Sequence, residues 1–195
     1  MVTELARGPL PLVLSGVAAL LLVGPGSALA HKGKAERSLN LEVADGQLVA
    51  LVHLRVTGDD KRRALFVLAD QDHNGRLDAH EQTGLQTQLV TRALFGVRLF
   101  VESSTVTLEG VQARLQASAD GPIEVMVHGT TRFSPKHKNV RITTIAGAER
   151  LAVRAVPGKR RLVSASRGRP SRRGIYEAEM GSKDALSLVF GPASP

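Results

Sequence analysis

The sequence contains no cysteine and no tryptophan, and its 195 residues include only six aromatic side chains, Phe66, Phe95, Phe100, Phe133, Tyr176 and Phe190. Without thiols there is no disulfide framework, no cysteine nucleophile, no thiolate zinc site and no lipid-modified N-terminal cysteine. So few rings also argue against a surface that stacks bases. The sequence has no G-x-S-x-G elbow, no H-E-x-x-H helix and no P-loop, and the chain is expected not to be an enzyme. Basic residues outnumber acidic ones, 26 against 18, for a net charge of +8. The 43% hydrophobic content is enough to fill a core.

Long apolar runs are scarce, and the one that stands out lies at the start. Arg7 precedes an apolar stretch from Leu10 to Val23, which closes on Ala28-Leu29-Ala30, the small-x-small pattern of a signal-peptidase site. The run is too short for a membrane helix and is interrupted by Gly16. Residues 1–30 are therefore expected to be a secretory signal, with 31–195 as a single domain in the periplasm or secreted medium and no later membrane span. Glu4 and Arg7 leave together, so the charge balance persists after cleavage. Export also separates the chain from nucleic acid.

The mature segment reads as mainly β. Ser38 to Val43 and Gln47 to Val56 flank Ala44-Asp45-Gly46, an Asp-Gly hairpin signal. Leu48, Ala50, Val52, Leu54 and Val56 alternate onto one face, and Val49, Leu51, His53 and Arg55 onto the other. From Asp60 to Ala69 the pattern turns helical, with N-cap candidates among Thr57 to Asp60. A polar loop follows, and then a second helix to about Phe95, with Leu85, Leu89 and Ala93 at four-residue spacing. After Gly96 come eight β-prone runs: Val97–Glu102, Thr105–Leu115, Ile123–Phe133, Val140–Ile145, Leu151–Val156, Arg161–Ser166, Ile175–Met180 and Leu186–Phe190. The expectation is an antiparallel, immunoglobulin-like β-sandwich with a helical insert at about 59–95 and a loose tail from Gly191.

The loop inside that insert carries the sharpest motif. Asp70-Gln71-Asp72-His73-Asn74-Gly75-Arg76-Leu77-Asp78-Ala79-His80-Glu81 matches the twelve-residue EF-hand pattern. Ca²⁺ is a hard ion that needs many oxygens, so short oxygen-bearing side chains must converge. Asp70, Asp72 and Asn74 fill positions 1, 3 and 5, and Gly75 permits the sharp bend at position 6. Arg76 would contribute only its backbone carbonyl. Asp78 binds directly or through water, and Glu81 reaches in with both oxygens. Leu77 supplies an apolar peg, while His73 and His80 occupy non-ligand positions. With no second loop to pair with, affinity is expected on the order of 10⁻⁴–10⁻³ M. The ion would then act as a structural clip.

Ala30-His31-Lys32 at the cleavage point, the hairpin, the acidic loop before a helix, and Phe133-Ser134-Pro135-Lys136-His137 together resemble a known exported domain. It is the N-terminal extracytoplasmic domain of hydrogenase/urease accessory membrane proteins, whose membrane part resembles nickel and cobalt permeases. The resemblance spans most of 31–195. Two departures stand out: Ala35-Glu36-Arg37-Ser38-Leu39 replaces the usual tyrosine-containing segment, and no membrane helices follow, so transport is not carried over.

Two further sites come from the residues themselves. A mature N-terminal His31 offers its amine and imidazole to nickel or copper, and His137 can complete such a site. Lys159, Arg160, Arg161, Arg167, Arg169, Arg172 and Arg173 form a run without a carboxylate between Pro157 and Tyr176, suited to an anionic surface or an envelope partner. His53 and His128 are expected at the surface.

Overall fold

The computed structural model describes residues 35–44, 46–158, 160–170 and 175–193; the expected leader, its cleavage point and His31 lie outside them. Strand alternation sets the first hairpin. β1 (Ala35–Ala44) and β2 (Gln47–Val56) pair antiparallel, from Ala44 opposite Gln47 to Ala35 opposite Val56. Leu48, Ala50, Val52, Leu54 and Val56 are all buried on one face, as the two-residue period requires. Two helices follow, α1 (Asp59–Ala69) and α2 (Ala79–Leu94), with the acidic loop between them.

The chain then returns to strands: β3 (Val97–Val101), β4 (Ser104–Thr105), β5 (Glu109–Gln116), β6 (Ile123–Arg132), β7 (Asn139–Thr144) and β8 (Leu151–Val156). β9 (Arg160–Ala165), β10 (Arg169–Pro170), β11 (Tyr176–Met180) and β12 (Ala185–Ala193) complete the order. They form a β-sandwich of two sheets. One has seven strands in the order β10-β11-β8-β1-β2-β6-β5, the other five in the order β4-β3-β7-β12-β9. Leu54, Ile123, Leu151, Ile142, Leu186 and Leu188, drawn from both sheets, are completely buried in one apolar cluster. Each such side chain contributes about 1.5–3 kcal/mol of burial.

Several local expectations change. Among the described pairs β1 and β8 alone run parallel; all others are antiparallel. The sandwich also has more strands than an immunoglobulin domain. The run expected from Thr105 to Leu115 breaks at 106–108, and the Arg169–Pro170 strand has too few residues to show periodicity. The tail is not loose as far as Ala193, because β12 continues along β9 through register shifts. At α1 no side chain caps the N-terminus. Gly58 takes that position with φ 96°, and none of Thr57, Asp59 or Asp60 does. Arg62 anchors this end instead, donating from Nη1 to the carbonyls of Ala119 (2.9 Å) and Gly121 (2.8 Å).

α2 is fixed more firmly. Leu85, Leu89 and Ala93 enter the same cluster as the inner faces of β2 and β6, and Gln86 Nε2 donates to Ala113 O of β5 at 3.1 Å. Gly96 follows with φ 72°, and a side chain there would meet Ile145 Cγ1 at 2.9 Å. Glycine is therefore required where the insert rejoins the sheet.

Candidate metal centre

The loop between α1 and α2 is organised by its own carboxylates. Asp70 accepts from Asn74 N at 3.0 Å and from Gly75 N at 2.9 Å, so the first residue of the loop holds its centre. Gly75 has φ 79°, the left-handed conformation the bend demands, and His73 shares it at 56°. Asp72 accepts from Asn74 N (3.1 Å) and Asn74 Nδ2 (2.6 Å), and Asn74 Oδ1 accepts from Arg76 N (2.8 Å). These are the short side-chain turns that Asp and Asn favour.

Glu81 closes the circle. Its Oε1 accepts from Gln71 N at 2.6 Å and its Oε2 from Asp78 N at 2.9 Å, so one carboxylate joins the beginning and end of the loop. Asp78 returns the bond by accepting from Glu81 N at 2.8 Å, completing a capping box at the start of α2. Leu77 packs against the core, and His73 and His80 face solvent.

Three carboxylates converge. One oxygen each from Asp70, Asp72 and Glu81 lies within 4.8 Å of the other two. Oxygens about 2.3–2.6 Å from a central calcium can be separated by roughly that much, so the triad can share one ion. Asp70 is 6% exposed and Glu81 5%, and neither forms an ion pair among the described residues. Two anions buried side by side repel one another unless a cation intervenes. The donors are oxygens throughout, which suits a hard divalent cation over a thiophilic or imidazole-seeking one. Asn74 and Asp78 border the triad through their hydrogen bonds, and the Arg76 side chain is exposed.

The other expected sites do not assemble in the same way. His137 lies beside Phe133 with ring centroids 5.7 Å apart and its Nδ1 accepts from Ser134 N at 3.2 Å, while His31 is outside the described residues. No His-containing metal cluster occurs among the described residues. Lys159, Arg172 and Arg173 are also outside them. Arg160 requires a correction: it is buried, not part of an exposed run. Its Nε donates to Gly191 O and its Nη2 to His137 O, both at 2.7 Å, and its guanidinium stacks 4.9 Å from the Phe133 ring. Arg167 pairs with Asp184 at 2.7 Å, leaving Arg161 and Arg169 exposed.

Sequence reasoning missed Arg37. It is buried on β1 and donates to Phe95 O and Glu149 O, each at 2.6 Å, while Glu149 Oε1 receives Arg92 Nη2, also at 2.6 Å. A cation thus meets the carbonyl end of α2, where the helix dipole favours it. Burial lowers the Arg37 pKa, Glu149 opposes that effect and Arg92 adds to it; an arginine remains charged regardless. The signal lay in the sequence, since Arg37 is in phase with Leu39, Leu41 and Val43. A cavity of about 370 Å³ opens beside this clamp, lined by Arg37, Gln88, Arg92, Phe95 and Glu149 among others. No helix among the described residues is long and apolar enough to cross a membrane. No protein-family model and no curated protein matches the chain.

Proposed function

We propose that this chain is an exported calcium-binding protein in which a single EF-hand-like loop holds one Ca²⁺ and braces the helical insert against the β-sandwich. Its role is interaction with another envelope component, as the resemblance to an extracytoplasmic accessory domain implies, and not catalysis. One observation carries the calcium reading. Asp70 and Glu81 are buried carboxylates that converge with Asp72 and have no cationic partner among the described residues. The ion would supply the missing positive charge, with Asp70, Asp72, Asn74, the Arg76 carbonyl, Asp78 and Glu81 as its oxygen donors.

Isothermal calorimetry should find one calcium per chain, and Glu81→Gln should remove most of the binding heat. Glutamine can keep the capping-box bond from Asp78 N but gives up the acceptor for Gln71 N, so each chain's melting temperature in chelator is its own baseline. Calcium should raise that baseline in the parent and leave it nearly unmoved in Glu81→Gln. Undiminished calcium affinity in Glu81→Gln would refute the assignment.

A further inference from the structure

The two outer faces of the sandwich carry different charge. On the seven-stranded sheet the signs are mixed: Glu36 and Glu124 stand among Arg55 and Arg114, and Arg154 pairs with Glu177 at 3.2 Å. On the five-stranded sheet the register turns Arg98 and Phe100 of β3 and Arg141 of β7 outward together, with the Arg141 guanidinium 4.6 Å from the Phe100 ring. Arg161 and Val163 of β9 share that face, since both lie on the side to which a Gly191 Cβ would point. The other outward positions of β3, β7, β9 and β12 are neutral, and none is a carboxylate.

The two carboxylates at the ends of this sheet are engaged already. Glu102 accepts from Lys138 N and Asn139 N, and Asp184 accepts from Gly181 N and pairs with Arg167. Arg98 and Arg161 therefore have no ion-pair partner among the described residues, and Val163, two residues from Arg161 on the same face, is 62% exposed. Guanidinium groups bind phosphate oxygens well, and apolar side chains set among them gain by entering the headgroup boundary. A hydrophilic polyanion would leave Val163 in water.

We propose that the outer face of the five-stranded sheet is a docking surface for an anionic phospholipid bilayer. The surface is distinct from the acidic loop and stands independently of the calcium reading. Each arginine near such a membrane strengthens binding about five-fold, so removing three should cost about 100-fold.

The full chain is sedimented with phosphatidylglycerol–phosphatidylcholine vesicles and with phosphatidylcholine vesicles alone, at low and high salt. The apolar stretch at 10–23 would act on both alike, so the charge-dependent part of the partition is read. The Arg98→Gln/Arg141→Gln/Arg161→Gln chain should lose nearly all of that part. A charge-matched Arg55→Gln/Arg114→Gln/Arg154→Gln chain, altered on the other sheet, should retain most of what the face variant loses. If the face variant fails to fold, Arg98→Gln/Arg161→Gln spares the Phe100 stacking and should still lose about 25-fold. Val163→Ser should weaken binding about three-fold without changing charge. Equal losses in the two charge-matched variants would overturn the proposal, because only net charge would then matter. So would a Val163→Ser chain that binds like the parent while soluble polyglutamate displaces it from vesicles, since the face would then read polyanions.

Discussion

The helical insert and the sheet body are held by different forces. The body buries Leu48, Leu54, Ile123, Leu151, Leu186 and Leu188 completely, one layer against the other. In α1 only Phe66 is buried, while Val67 and Leu68 stand 54% and 76% exposed. α2 adds Leu85, Leu89 and Ala93, with Leu65, Leu77, Val90 and Leu94 only partly buried against the core, and polar bonds complete the attachment: Arg62 to the 119–121 turn, Gln86 to β5 and Arg37 to the end of α2. Apolar burial depends little on which ions are present, whereas converging carboxylates depend on them directly. The insert should therefore respond to ions and to single polar substitutions that leave the body unmoved.

Four experiments test that contrast. The largest effect belongs to the body. Phe133 is buried against Phe190 in an edge-on contact at 5.7 Å with Arg160 over its face, and Phe133→Ala should cost about 3–5 kcal/mol in urea unfolding, with or without calcium. Next is Arg37→Met, which leaves Phe95 O and Glu149 O without their donor and should cost about 2–4 kcal/mol. Its mark should be local, with faster amide exchange in α2 while β2 and β6 stay protected. Uniform loss of protection would mean that the insert and body form one cooperative unit.

Calcium itself comes third. For a Kd on the order of 10⁻⁴–10⁻³ M, about 10 mM Ca²⁺ should add roughly 1.4–2.7 kcal/mol and raise the melting temperature by about 3–10 °C over chelator. An unchanged melting temperature would remove the ion from the account of the insert. The smallest effect is a proton at the sheet edge. The backbone N–H groups of Lys138 and Asn139, with the Asn139 side chain, hold Glu102 at about 2 against an ordinary 4.5. A depressed folded pKa stabilises above the unfolded value and is lost as pH falls between the two. Acidification from about pH 5 to 2 should therefore weaken the parent more than Glu102→Gln, by no more than about 1 kcal/mol for so exposed a group. Equal acid sensitivity in the two chains would show that this carboxylate contributes nothing.

Much of the body was legible because its strands are simple. β2 and β8 alternate buried and less buried residues along their whole length, and both were bounded correctly from that period. The acidic loop was legible for another reason: its side-chain turns and its glycine bend need particular residue types at fixed spacing within twelve positions. The rest depends on partners distant in sequence. Arg37 meets residues 56 to 112 positions away, and Arg160 meets Gly191 and His137 across two other segments. An arginine reads as solvated until a strand phase places it on the inner face, and at Arg160 the charged neighbours masked that phase. The parallel contact of β1 with β8 was equally hidden, since no local pattern distinguishes a parallel neighbour from an antiparallel one.

That contact governs when the molecule can be finished. Ser38 to Glu42 find their second neighbours only at Ala152 to Val156, late in the polypeptide. Until those residues arrive, the opening strand keeps one margin unsealed, and most of the chain must be present before the larger sheet can close. Such distant pairings make for slow maturation. A polypeptide that cannot complete itself early stays threadable for longer, which is the condition a protein needs if it is to pass through a narrow pore before it folds.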